Sequence, residues 1–244
     1  MAVALLDWVD PRPGQNAIDL GRGLRGTIEP LRDQLGPDGR VVGVDLDPVH
    51  VALAHAFVAE QGLANVEIPQ TDARRTGLPA APFDLVHART LLITIPDPTA
   101  VMAEMTRLVR PSGWVASMEP NMAAHPYHAP HPTQDRLHEI FIDAFRADGA
   151  DPFIGRHIPD LFRQAGLTNI GIKARAELYP PGHTRRTILL DLVRSMRPKI
   201  VQRGIAREQE FDDLDRAAHE CLNDPCALVL SPAMFLTWGR KTTA

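Results

Sequence analysis

The sequence predicts a doubly wound α/β domain, a mostly parallel sheet covered by helices on both faces. Three observations predict it. Short apolar runs of strand length alternate with longer stretches of helical period. Three glycines, Gly21, Gly23 and Gly26, follow the first run at once, as they do where a buried strand turns sharply into a helix. The second run ends on an acid, Asp45, at the distance where such folds place a ribose-binding carboxylate.

The first strand is expected at residues 16–20, after the turn Pro11-Arg-Pro-Gly14 and a single helix around Val3 to Val9. A helix over residues 27–35 closes on Gly36-Pro37-Asp38-Gly39, and residues 40–45 form the second strand. Pro48 opens a helix that runs to Gln61, since proline suits the first helical position. Residues 65–70 and 83–88 are the third and fourth strands, 98–109 a helix, and 114–119 the fifth strand. Beyond Glu119 the rhythm changes. Residues 120–132 are rich in Pro and His, and helices are expected over 133–146, 158–165, 185–205 and 208–222. A sixth strand lies within 167–178 and the last strand covers 226–238. The expected organisation is a single domain over residues 1–244. Its cofactor-binding core is 14–119, its substrate loop and helical lid are 120–166 and 183–224, and 226–238 is its last strand.

Composition narrows the class. Apolar residues at 44% and charged residues at 23% are ordinary for a globular chain. A net charge of -4 offers no general basic footprint, so nucleic acid is not the expected partner. Cys221 and Cys226 lack paired metal-binding spacing, and no metal is expected. The start has no basic leader and no run reaches membrane-spanning length, so the reading is cytoplasmic with no integral membrane segment.

The glycine turn points free helix N–H groups at a ligand and fits a carboxylate or a phosphate. Residues 21–26 also satisfy the dinucleotide fingerprint, so the motif alone does not separate a nicotinamide cofactor from S-adenosylmethionine. Two acids tilt the balance. Asp19 sits at the strand end, where it would crowd a pyrophosphate but suit a cationic ligand. Asp72, after the third strand, supplies an acceptor of the kind an adenine amino group needs.

These blocks, with Phe83-Asp-Leu-Val86, Leu108-Val-Arg-Pro-Ser-Gly-Trp114 and Phe235-Leu-Thr-Trp-Gly-Arg-Lys241, resemble the class I S-adenosylmethionine-dependent methyltransferases. The similarity is to the small-molecule group of ubiquinone/menaquinone C-methyltransferases and natural-product enzymes. It covers the cofactor half well and residues 120–223 hardly at all. It implies a Rossmann-like seven-stranded sheet of order 3-2-1-4-5-7-6 with the last strand antiparallel. It also implies that Asp19, Gly21 and Gly23 surround the methionine part, with Ala88 lining its end. Asp45 would hold the ribose hydroxyls and Leu46 would lie against the adenine, while Asp72 would take the adenine amino group with Ala73 beside it. Arg22 departs from the family, which often has a small residue there. With Arg25 it puts positive charge near a cationic cofactor unless both turn to solvent. The short leader also departs, and leaves three readings: an open site, a cover provided by a second subunit such as a homodimer mate, or a start upstream.

Methyl transfer needs alignment more than a catalytic group. The candidates are His87 and Arg89 after the fourth strand, Glu119 at the end of the fifth, and His125 in the loop beyond, where Tyr127, His128 and His131 also lie. His87 could equally be structural, and Glu119 could cap a backbone group. The segment 185–207 carries seven basic residues against Asp191, which reads as a solvated lid face, with an acidic substrate or a membrane surface as the other readings. The expected function is methylation of a small, cyclic or aromatic metabolite at O, N or C. A nicotinamide-dependent oxidoreductase and a non-methylating S-adenosylmethionine-binding partner subunit are the alternatives.

Overall fold

The structure is a computed structural model that describes residues 2–23, 26–123, 127–128 and 130–243. In chain order its elements are α1 (Ala2–Val9), β1 (Asn16–Leu20), α2 (Ile28–Leu35), β2 (Arg40–Val44), α3 (Pro48–Glu60), β3 (Val66–Glu67), β4 (Phe83–Arg89), α4 (Pro98–Leu108) and β5 (Val109–Asn121). There follow β6 (Tyr127–His128), α5 (Pro132–Ala147), α6 (Ile158–Gln164), β7 (Thr168–Arg175), β8 (Leu178–Tyr179), α7 (Ile188–Ser195), α8 (Arg197–Gln202), α9 (Glu208–Leu222), β9 (Leu228–Leu230) and β10 (Ala233–Arg240). The chain divides into two compact units, residues 1–119, 154–173 and 235–244 in one and residues 120–153 and 174–234 in the other.

The first unit is built on a mixed seven-stranded sheet of order β3-β2-β1-β4-β5-β10-β7. Counted along this sheet alone, β7 and β10 are its sixth and seventh strands, so the order is the expected 3-2-1-4-5-7-6. Strands β1, β2 and β4 are buried on both faces, which is why they read as continuous apolar runs without alternation. Parallel register sets Gly43, Asp19, His87 and Ala116 side by side in one row across β2, β1, β4 and β5. Residues of one row point to the same face.

Several boundaries differ from the sequence reading, each for a local reason. The third strand shrinks to Val66–Glu67, because Pro69 has no N–H to give a ladder; only an isolated bridge between Asp45 and Gln70 continues it. The last strand splits at Ser231-Pro232 into β9 and β10. The helix expected over 185–205 breaks into α7 and α8 at Met196, one residue ahead of Arg197-Pro198, with Thr184–Thr187 forming a separate 3-10 turn.

The second unit packs α5 against α7, α8 and α9 and adds a three-stranded sheet, β6-β9-β8. The basic stretch is not a free charged face. Arg194 pairs with Asp191 and Asp215, Arg197 with Glu208 and Asp212, and Lys199 and Arg203 with Asp148, so acids from α9 and the end of α5 compensate it. Arg186 is not on the surface at all. Only 6% exposed, it donates to the carbonyls of Leu222 at 2.9 Å, Tyr179 at 2.8 Å, and Asp224 and Ala227 at 3.2 Å. A planar guanidinium fork thus gathers the end of α9, β8 and the lead into β9. No helix among the described residues is long and apolar enough to cross a membrane.

Replacing Arg186 with Met removes the donor that these carbonyls share, Asp224 O keeping another in Ala227 N–H, and is expected to lower the unfolding free energy by roughly 3 kcal/mol, with Lys recovering only part. Urea denaturation measures it; an unchanged midpoint for Arg186→Met would refute the role.

Candidate functional site

The row Gly43, Asp19, His87, Ala116 is the floor from which the site is built. Asp19 is 1% exposed, and its Oδ1 lies 2.8 Å from Nδ1 of His87, while Oδ2 accepts from the backbone N–H of Thr27 at 2.7 Å. Thr27 Oγ1 is also 3.1 Å from that ring nitrogen. Burial pushes the Asp19 carboxyl up, but the His87 and Thr27 hydrogen bonds outweigh it and hold it below the usual carboxylate range. The bond to Thr27 fixes the start of α2, and the turn between requires glycine at positions 21 and 26. Gly21 has φ +62° with Leu91 lying where a Cβ would stand, at 2.5 Å; a Cβ on Gly26 would come within 3.0 Å of Asp19 Oδ2.

The same turn aims Gly23 N–H at Asp45 Oδ2, 2.7 Å away; Asp45 Oδ1 accepts from Asp47 N–H at 3.0 Å. Asp47 in turn caps α3 through Val49 N–H at 2.8 Å. Beyond the strand ends lies an open cleft of about 710 Å³, a size common for ligand sites. It is lined by Gly21, Gly23, Asp45, Leu46, Asp72 and Ala73, six of the eight residues expected around a cofactor. Asp19 and Ala88 are not among its walls; both are buried in the sheet, 1% and 0% exposed. Asp72 is not a bare acceptor. Arg74 covers it with Nε 3.0 Å from each carboxylate oxygen and Nη2 2.6 Å from Oδ2, and this pairing depresses its pKa.

The catalytic candidates change meaning. His87 is fully buried and bonded to Asp19, so it cannot meet a substrate; it positions the acid. Glu119 is also fully buried and caps a wall of the cleft. Its oxygens accept from the N–H groups of Leu91 and Leu92 at 3.0 Å and Ile93 at 3.2 Å, where a 3-10 turn begins. Burial pushes it up to about 7, against the pull of those three bonds and the Arg89 charge. Arg89 is half-buried at the end of β4 and is not a wall of the cleft. His125 lies outside the described residues.

Sequence reasoning missed the rest of the wall. His50 and Arg74 line the cleft, as do Thr90, Leu91, Thr94 and Ile95, and nothing in a single sequence marks that last group, the loop after β4, as a wall. It also missed Glu104 of α4, which accepts from Thr76 N–H at 2.9 Å and anchors the segment that follows Asp72. Arg107 holds its carboxyl down at about 2.

Glu119 makes a pH prediction. Its folded-state pKa is above that of the unfolded chain, so the folded state binds the proton more tightly and this contribution to stability is full below about pH 4.5. It is lost as pH rises to about 7, by roughly 3 kcal/mol in total. In Glu119→Gln that loss should vanish from urea midpoints taken across the window; an undiminished slope in the variant would refute the assignment.

Known proteins match this architecture. Residues 17–113 match the methyltransferase domain family. Nocamycin O-methyltransferase of Saccharothrix syringae is 38% identical over 120 residues, covering 49% of this chain and 43% of the relative. Demethylmenaquinone methyltransferase of Bacillus cytotoxicus is 27% identical over 186 residues, covering 68% of this chain and 75% of the relative. The crystal structure of the YcgJ protein from Bacillus subtilis superposes with a TM-score of 0.67 over 100% of this chain and 99% of that one, at 16% identity, which speaks to the fold. The chain spans about half the length of the natural-product relatives it matches. Residues 17–113 are thus similar to the methyltransferase domain family, and the chain resembles methyltransferases that are named for natural products and for demethylmenaquinone.

Proposed function

We propose that the cleft binds S-adenosylmethionine and that the protein transfers its methyl group to a small, cyclic or aromatic metabolite. The observation that carries this reading is the convergence of the glycine turn, Asp45 and Asp72 on one cleft at the strand ends, the place where open α/β sheets take ligands. The donor set fits the cofactor. A Cβ on Gly23 would meet nothing within 4 Å, so the turn presents backbone to open space. Asp45 carries one backbone N–H on each oxygen, and a carboxylate has further lone pairs for two ribose hydroxyls.

When bound, the cofactor supplies an electrophilic methyl group on a sulfonium. The chain supplies alignment. In this reading Asp45 orients the ribose, Leu46 and Ala73 flank the adenine, and Gly21 and Gly23 run along the methionine part with Asp19 and Ala88 behind them. Asp72 meets the adenine amino group once Arg74 yields a lone pair. With His87 and Glu119 buried in supporting roles, the reading leaves Arg89 and His125 as the groups that would orient an acceptor. The division read from the sequence, cofactor on 14–119 and substrate on the helical segments, belongs to the same proposal. Relatives named for nocamycin and demethylmenaquinone support a small-molecule acceptor.

Titration calorimetry tests the cofactor. S-adenosylmethionine should bind with micromolar Kd, weakened at least about tenfold by Asp45→Ala, which removes a charged acceptor. Binding of NADH in its place would overturn the reading in favour of hydride transfer. Arg74→Ala, which frees Asp72, should tighten the cofactor by about two- to fivefold in the same assay, on the scale of one exposed ion pair; a weaker complex would assign Arg74 a direct contact instead.

A further inference from the structure

Arg22 stands between the two glycines of the turn, yet it is not a wall of the cleft. It is 6% exposed and runs inward. Its backbone N–H donates to Val44 O at 3.0 Å and its Nη1 to His50 O at 3.3 Å, which ties the turn to β2 and to the first turn of α3. The path of the side chain depends on Gly43. A Cβ there would stand 3.0 Å from Arg22 Cδ and 2.6 Å from Ile28 Cδ1, so glycine in the floor row makes the channel that Arg22 fills. Gly43 is the register partner of Asp19. The arginine stem therefore passes directly beside the buried acid, and its charge acts on both Asp19 and Asp45. Burial opposes that charge and the two acids sustain it; a guanidinium stays protonated in such a place.

We propose that Arg22 is a specificity-determining residue, a fixed positive charge behind the turn that sets how strongly the site distinguishes a sulfonium ligand from its neutral thioether product. The inference rests on the proposed function. In methyl transfer the C–S bond breaks and its electron pair stays on sulfur, while the methyl carbon forms a bond to the acceptor. Sulfur goes from charged to neutral and the rest of the ligand is unchanged. Asp19 and Asp45 favour the charged form, and Arg22 cancels one of those two negative charges at close range. Screening by salt is weak for a buried group. The wild-type site thus holds substrate and product cofactor more evenly than its two acids alone would dictate, and a neutral residue at position 22 should shift it toward the cation.

Calorimetry with S-adenosylmethionine and S-adenosylhomocysteine on the intact protein tests this. In Arg22→Met and Arg22→Gln, which keep the stem over Gly43 to different extents, the affinity ratio should move about tenfold toward the sulfonium compound. In Arg22→Lys, which keeps the charge, it should stay within about twofold of wild type. Two neutral variants guard against one failing to fold, and thermal melts check each. Equal changes for both ligands in the neutral variants, or a Lys variant that behaves like them, would show a merely structural residue and overturn the inference. Wild-type protein that binds neither compound would instead overturn the proposed function.

Discussion

The carboxylate of Asp19 is the point on which the glycine turn and the strand ends of the large sheet are hung. It belongs to β1, it bonds the ring of His87 on β4, and it accepts the N–H that opens α2. Three segments separated in sequence are thereby fixed at one pair of oxygens. A buried anion is costly unless every lone pair is used, and here the neighbouring histidine and the helix N–H offset that cost. The shape of the turn follows. With Thr27 drawn to Asp19, the chain from Leu20 must double back within a few residues, and only glycine meets the positive φ and the crowding at positions 21 and 26. The turn then delivers Gly23 N–H to Asp45. An interaction invisible from the surface therefore decides where the surface acceptors lie.

Glu119 repeats the device at the end of β5 with a different electrostatic result. Both acids are buried and both hold a neighbouring chain segment by its N–H groups, yet Asp19 is held below its ordinary range and Glu119 is pushed up to about 7. The difference is the partner. Asp19 has an imidazole in contact, whereas Glu119 has backbone dipoles and only the more distant charge of Arg89. Ionisation of Glu119 is thus governed by burial, and the wall from Leu91 to Ile95 is seated on a group that titrates near neutrality.

What the sequence could reveal was whatever local chemistry dictates. Strand length, helical period, glycine clustering and an acid at a strand end are properties of short windows, and they located every strand of the large sheet and six walls of the cleft. What it could not reveal was direction and company. In β4, Phe83, Leu85, Val86, His87 and Ala88 are all buried, so no alternation tells which way His87 points; only the register with Asp19 does. Arg186 reads as one more cation in a basic helix, and only the convergence of Tyr179, Leu222, Asp224 and Ala227 draws it inside. Pro69 and Pro232 lie inside segments that read as continuous strands, and the structure breaks the strand at each. A strand that loses one ladder bond shrinks or changes sheet according to the neighbours available to it.

The same accounting of partners bears on how the cleft recognises a ligand. Asp19 is engaged by His87 and Thr27, Asp45 by Gly23 and Asp47 N–H, and Asp72 by Arg74, while Arg22 adds its charge behind the turn. Of the acids lining or backing the cleft among the described residues, Asp47 alone keeps an oxygen turned to solvent, the other engaged by Val49 N–H. Attraction of a cation is correspondingly moderated, because the fields of Asp19, Asp45 and Asp72 are partly spent on neighbours a few ångströms away. In the proposed reading, recognition comes largely from short-range fit, in which hydroxyl and amino groups take up the remaining lone pairs while the glycine turn and the Leu91–Ile95 wall set the shape. Such a site depends on the exact placement of its acceptors, and that placement is what the buried row of Gly43, Asp19 and His87 secures.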